Sequence, residues 1–425
     1  MDRFLAIKQL MQQNIVVAVG CTEPVAVALC VAKAKEVLNE PTQEVKLLLS
    51  KNIIKNAMGV GIPGTHMIGL PISVALGVVC GDSSKELEVL CTAKQHLQQA
   101  KQWLSTHKID IQPKDTDEKL YIECVCKSAT SSAKAIITCT HTNFVFISRN
   151  DEVLLDKTHI VNQACEEQCN VLSTLTAEEV YQYAMEEDVD KLSWILDTAK
   201  LNSACSEQGL KERYGLGIGK LLFEDWDKSI RNEVIARTCA ASDARMDGVT
   251  LPIYSNSGSG NQGITCTLPV YYYAQKINAD KETTIRSLIL SHLMSIYIKS
   301  KVGRLSALCG VTNASMGVAS GLVYLSGGGF EQVCFAIRNM INTVTGMVCD
   351  GAKPSCALKI ATALNSAFDS VKLALNNIVV DETDGIAEQN IDKSIESFGN
   401  IGKYAMQETD DMILSIMTHK KHCQS

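Results

Sequence analysis

Apolar residues recur every three to four positions over residues 2–19 and 24–38, so both stretches are expected to be helices. Residues 44–49 form an apolar run of strand length, and 88–107 returns to a helical period with a broad polar face. From residue 119 to 155 the period drops to two. The runs 120–126, 135–140 and 144–148 alternate apolar with polar residues between Ser/Thr/Asn turns, the pattern of antiparallel strands. Beyond Thr174 the pattern is helical again. Thr176 with Glu178 and Glu179 marks a helix start, and helical runs continue through Lys200, over 210–241 and over 280–302. The predicted fold class is α+β: an N-terminal α+β domain with a small antiparallel sheet over residues 1–170, then a mainly helical domain over 171–425. No Pro- or Gly-rich linker marks the boundary, and no internal repeat is visible.

Hydrophobic residues make up 46% of the 425-residue chain and charged residues 20%, which allows a substantial core and excludes a disordered or fibrous protein. The net charge of −7 and the lack of any Lys/Arg cluster interleaved with aromatics argue against a nucleic-acid partner. The most apolar segments, 70–80 and 317–325, fall short of the roughly 18 residues a membrane span needs, so no membrane partner is expected. Residues 1–20 carry Asp2, Lys8 and three Gln and do not read as a secretion signal. Seventeen cysteines then point to a reducing compartment, the cytoplasm, where thiols serve as core residues, nucleophiles or metal ligands. A symmetric homodimer is the base-rate expectation for assembly.

Three cysteines stand out. Cys309 is expected at the end of the long helix containing His292 and Lys301, with Gly310 as its C-cap. Cys349 and Cys356 would lie about 10 Å apart along a continuous helix, too far for one small cofactor. Gly351 and Pro354 between them permit a reversal instead, and Pro354 at a helix start would put Cys356 in the first turn, where free N–H groups can reach sulfur. The plainer account is three small buried residues. Zinc is a further alternative, but structural zinc sites favour close CxxC pairs, and none occurs; the nearest are Cys124 with Cys126 and Cys165 with Cys169.

Cys21 follows Gly20 and precedes a helix that Thr22 can cap and Pro24 can start. That position is expected to lower its pKa and populate thiolate, the alternative being an inert buried thiol. Ser257, Gly258, Ser259, Gly260, Asn261 and Gln262, followed by Gly263, form a glycine-rich run whose N–H groups could cradle a carboxylate or simply make a turn. It lacks the strand–helix–acid context of a dinucleotide fingerprint. His141 and Asn143 at one strand end, and Asn52 and Asn56 after another, are candidate substrate contacts. Lys353 is a candidate positive charge near a substrate carboxylate, and Cys423, near the C-terminal end, could reach an open metal position if its tail is flexible.

The segments GCTEP at 20–24, KNIIKNAMGVGIPGT at 51–65, HTN at 141–143, SGSGNQG at 257–263 and VCDGAKPSC at 348–356 resemble, in order, those of the L-cysteine desulfidase family, which includes the YhaM-like proteins. That family is similar to the catalytic part of iron–sulfur L-serine dehydratases. The resemblance spans nearly the whole chain. It implies an enzyme that converts L-cysteine and water to pyruvate, ammonia and sulfide with a [4Fe–4S] cluster and no pyridoxal phosphate. Cys309, Cys349 and Cys356 match the cluster ligands, and Cys21 matches the base. Two other readings stand beside it: an iron–sulfur L-serine dehydratase using the same site, and a non-catalytic iron–sulfur redox sensor. A pyridoxal phosphate lyase is disfavoured because no lysine has a convincing cofactor context.

Overall fold

The computed structural model describes residues 3–116, 118–159, 171–303 and 306–419. The chain is α+β, as its periodicity predicts. Alternation of Val45, Leu47 and Leu49 toward the interior makes Glu44–Leu49 (β2) a half-buried strand, and the same alternation in Tyr121–Lys127 (β4), Ser132–Thr138 (β5) and Phe144–Arg149 (β6) builds the sheet around it. The sheet is larger than expected. Six strands run in the order β3-β2-β4-β5-β6-β7, with the largely exposed edge strands Lys108–Pro113 (β3) and Glu152–Asp156 (β7) added. It is mixed rather than purely antiparallel, because β2 and β3 pair in parallel across the helical connection between them.

Helix Thr22–Leu38 lies on this sheet and is apolar on nearly every side, since helix Leu70–Cys80 covers its other face. The predicted 2–19 helix stops at Asn14. Residues Val17–Val19 (β1) instead pair with Pro252–Tyr254 (β8), which carries the chain from the N-terminus to the second half. Helix Arg3–Asn14 buries Ile7, Leu10 and Met11 among the C-terminal helices, in a core with Leu293, Tyr297 and Phe398.

The predicted 210–241 helix is three separate ones. Leu196–Lys211 ends at Glu212, Ile218–Glu224 follows, and Ser229 accepts from the Asn232 N–H to start Ile230–Met246. Thr176 and Glu179 form a reciprocal capping box at the helix Ala177–Glu186, as their spacing predicts. The final helix, Gln407–His419, returns to the N-terminal part, where Asp411 pairs with Lys51 at 2.7 Å and Asp410 pairs with buried Lys55. No helix among the described residues is long and apolar enough to cross a membrane.

Candidate active site

Both halves of the chain wall one cavity of about 660 Å³. The three cysteines contribute one part of it. The long helix Lys281–Val302 ends at Gly303, so Cys309 is not at its C-terminus as expected. Cys309 is instead the N-cap of the next helix, Gly310–Leu325. Leu308 and Val348 form an antiparallel bridge, flanked by Cys309 N–H to Met347 O at 2.9 Å and Cys349 N–H to Ala307 O at 2.6 Å. That bridge sets Cys309 and Cys349 on the same face of two adjacent segments. Gly351, with φ of 90°, turns the chain back, and Cys356 opens helix Cys356–Leu375. Burial first, then Cys349 and Cys356, push the Cys309 thiol up to about 12; burial likewise raises Cys356. Cys309 thus feels both of the other two thiols across a shared wall.

Among the described residues, no three His, Cys, Asp or Glu converge as a single bound ion requires. An iron–sulfur cluster asks for something else, because each cysteine goes to its own iron and the sulfurs need not meet at a point. A thiol-only set on one wall, with two members at helix N-termini whose N–H groups favour negative sulfur, fits such a cluster.

Cys21 contributes the second part. Gly20 has φ of 73°, and a Cβ there would fall 2.3 Å from Pro63 Cγ, so glycine is required to deliver Cys21 to the N-cap of helix Thr22–Leu38. The expected thiolate is corrected by the structure. Cys21 is 2% exposed, and burial, then the Glu23 charge, raise its pKa well above the ordinary thiol range despite the opposing influence of Arg245. A helix N-terminus contributes up to about 2 kcal/mol, whereas full desolvation shifts a group by several pKa units, so burial wins. The thiol donates to Glu23 Oε2 at 3.0 Å. Asn56 Nδ2 donates to Glu23 Oε1 at 3.1 Å, and Thr22 Oγ1 lies 3.1 Å from Oε2. Burial opposes ionisation of Glu23, but His141, the Cys21 hydrogen bond and Arg245 more than offset it and hold the carboxyl below its ordinary value. The result is a protonated thiol hydrogen-bonded to an ionised carboxylate.

The glycine-rich run forms the third part. Gly258 O accepts from Thr22 Oγ1 at 3.0 Å, and Ser259 caps helix Gly260–Lys276. Arg245, at the end of helix Ile230–Met246, donates from Nε to Gly20 O at 3.1 Å and from Nη1 to Asn261 Oδ1 at 3.2 Å. It therefore ties the 20–24 segment to the 257–263 loop. A Cβ on Gly260 would fall 2.2 Å from Arg245 Nε, so glycine is what lets the loop lie against the guanidinium.

A buried imidazole braces this loop from behind. Asn256 Nδ2 donates to His292 Nδ1 at 3.2 Å and to His292 O at 3.2 Å. Thr267 Oγ1 gives its own proton to Gly263 O at 2.7 Å, so His292 Nε2, 3.0 Å away, must be the donor to it. Burial pushes the His292 pKa down to about 3 from 6.5. The unfolded chain therefore binds more protons than the folded one below about pH 6.5, and stability falls with pH through that window, by at most about 1.4 kcal/mol per unit. His292→Gln keeps a donor and an acceptor but cannot charge. It is expected to melt lower than wild type at pH 8, yet to lose less on acidification from pH 6.5 to 4.5. Equal acid sensitivity in the two melting curves would show that this imidazole does not titrate on unfolding.

Of the residues singled out in the sequence, Cys21, Asn56, His141, Ser257, Gly258, Ser259, Asn261, Gln262, Cys309, Cys349 and Cys356 line the cavity. Gly260, Asn52 and Asn143 do not; Asn143 Nδ2 instead closes a turn on Thr138 O at 3.2 Å. Lys353 is also absent from the lining and pairs with Asp350. Cys423, Cys165 and Cys169 lie outside the described residues. Sequence reasoning missed Glu23 and Arg245. Glu23 stood inside the GCTEP segment, two residues after Cys21, whereas an arginine in the last turn of a helix is an ordinary occupant and gives no signal.

The fold and the cavity define an α+β protein with an enzyme-type pocket walled by thiols, a carboxylate and a guanidinium. The chain belongs to the serine dehydratase alpha chain family, whose model matches residues 157–415. That span includes Arg245, the 257–263 loop and the three wall cysteines, and leaves Cys21, Glu23 and His141 outside it. Full-length similarity extends to proteins named only as UPF0597 proteins. One from Bacteroides thetaiotaomicron is 47% identical, over 97% of each chain. Another from Porphyromonas gingivalis is 44% identical, over 97% of this chain and 98% of its own. A third, from Actinobacillus pleuropneumoniae serotype 3, is 42% identical, over 98% and 97%.

Proposed function

We propose that this protein is a cytoplasmic [4Fe–4S]-dependent L-cysteine desulfidase, with Cys309, Cys349 and Cys356 as cluster ligands and Cys21 as the base. The observation that carries the reading is the sharing of one cavity by a three-thiol wall and the Cys21–Glu23 pair. A cluster held by three cysteines supplies, when bound, an open iron that acts as a Lewis acid on the leaving sulfur.

The chain's own residues handle the proton. Glu23 takes the thiol proton from Cys21, and the freed Sγ takes the proton from the substrate α-carbon. As the Cα–H and Cβ–S bonds break, hydrosulfide leaves and 2-aminoacrylate remains, which water converts to pyruvate and ammonia. Asn56 holds the Glu23 carboxylate on the thiol through the cycle. The low-dielectric surroundings that keep Cys21 protonated at rest make its thiolate a stronger base once formed.

A second reading, L-serine dehydration at the same site, is favoured by the family's own description. The two separate on substrate rates. With protein reconstituted without oxygen, kcat/KM for L-cysteine is expected to exceed that for L-serine by at least about tenfold, a difference of roughly 1.4 kcal/mol in transition-state binding. Equal or inverted values would reject the desulfidase assignment and leave the dehydratase.

A further inference from the structure

Arg245 has no role in the chemistry just described, yet it is 4% exposed and lines the cavity. A guanidinium removed from water is stable only when anions or several acceptors compensate it. Here two acceptors are in place, Gly20 O and Asn261 Oδ1, against five N–H donors. No Asp or Glu among the described residues forms an ion pair with it. Glu23 senses its charge, but its carboxylate oxygens are taken by Cys21 and Asn56. Beside Arg245 on the same loop, Gln262 is 2% exposed, lines the cavity and has no hydrogen-bond partner for Nε2. A buried cation and a buried amide donor therefore face one cavity with donor capacity left over.

The other cations do not share this property. Lys299 has a partner of its own. Lys85 lies at the exposed rim, with Nζ 3.3 Å from Cys91 Sγ. Lys353 and Lys359 are both tied to Asp350.

We infer that Arg245, seconded by the Gln262 amide, is the anchor for the carboxylate of the substrate, so that the cavity selects compounds carrying a free carboxylate. The inference rests on the reading of the cavity as an amino-acid site, and it adds the group that fixes which end of the amino acid enters first. The carboxylate supplies the missing counter-charge and accepts two or more charge-assisted hydrogen bonds, a geometry that suits guanidinium better than ammonium. Anchored there, the substrate lies beside the 20–24 segment, because Arg245 is itself bonded to Gly20, the residue before the base.

The test is binding, measured by calorimetry on the full-length reconstituted protein with L-alanine, which has no leaving group, and L-alaninamide, which lacks the carboxylate charge. Wild type is expected to bind L-alanine at least about thirtyfold more tightly than the amide, from the magnitude of a charge-assisted pair. Arg245→Gln should weaken L-alanine by a similar factor while leaving the amide almost unchanged, so that discrimination disappears. Arg245→Lys, which keeps the charge but not the fork, should fall between them, and Gln262→Met should lose a smaller part. Absence of L-alanine binding, no preference for L-alanine in wild type, or a preference that survives Arg245→Gln overturns the inference. The ligand-side comparison in wild type decides even if Arg245→Gln fails to fold. Sulfide release with discrimination independent of Arg245 would reject the anchor and keep the desulfidase. Discrimination that depends on Arg245, without sulfide release, would do the reverse.

Discussion

Replacing any one of Cys309, Cys349 or Cys356 by alanine is expected to remove most of the iron and labile sulfide from the reconstituted protein and to lower turnover by at least about a thousandfold, the scale lost when a reaction's main electrostatic stabiliser is removed. The fold should survive. Cys309 and Cys349 are held by backbone bonds, Cys309 N–H to Met347 O and Cys349 N–H to Ala307 O, which alanine retains. Cys356 contributes only a weak contact from Sγ to Gly351 O at 3.8 Å. A change from Cys to Ala at these sites should therefore cost no more than about 1 kcal/mol in the apoprotein. Iron and sulfide analysis alongside circular dichroism separates the two effects. A variant with full cluster content would remove that cysteine from the ligand set, and one that is unfolded would show that the thiol was a core residue.

The second large effect concerns the proton. Cys21→Ala and Glu23→Gln are each expected to lower kcat by about 10²–10⁴, the usual contribution of a positioned base, while iron content stays at the wild-type level. Because the thiol and the carboxylate act as one unit at 3.0 Å, the double variant should be scarcely worse than either single one. Additive losses would show that the two act independently. A Cys21→Ala variant with wild-type kcat would leave the thiol without a chemical role. Glu23→Gln is the sharper probe, since it retains the hydrogen bond to Asn56 through Oε1 and removes only the site that receives the proton.

How much of this was legible in the sequence differs by element, for physical reasons. The alternation in β2, β4, β5 and β6 and the capping box at Thr176 are local, and local periodicity reads them correctly. The strands β3 and β7 were missed because they are sheet edges, largely exposed, and owe their conformation to a neighbour rather than to a buried face of their own. Cys309 was placed on the wrong helix because apolar residues surround both helices on most sides and blur the 3.6-residue period at the 303–309 joint. Cys21 was found, but its protonation state was not. A helix start is visible in sequence, whereas its burial under Val60 and Met246 and its bond to Glu23 depend on the tertiary fold. Arg245 reaches the site from 225 residues away in sequence to hold Gly20, and nothing local announces that.

The central claim is elimination from an amino acid in a cluster-bearing cavity, and its most direct test is product release from L-cysteine by protein purified and reconstituted without oxygen. Pyruvate, ammonia and sulfide should appear in equal amounts, and brief exposure to air should abolish all three together as iron is lost. Bound iron and labile sulfide with no pyruvate from either L-cysteine or L-serine would contradict the account.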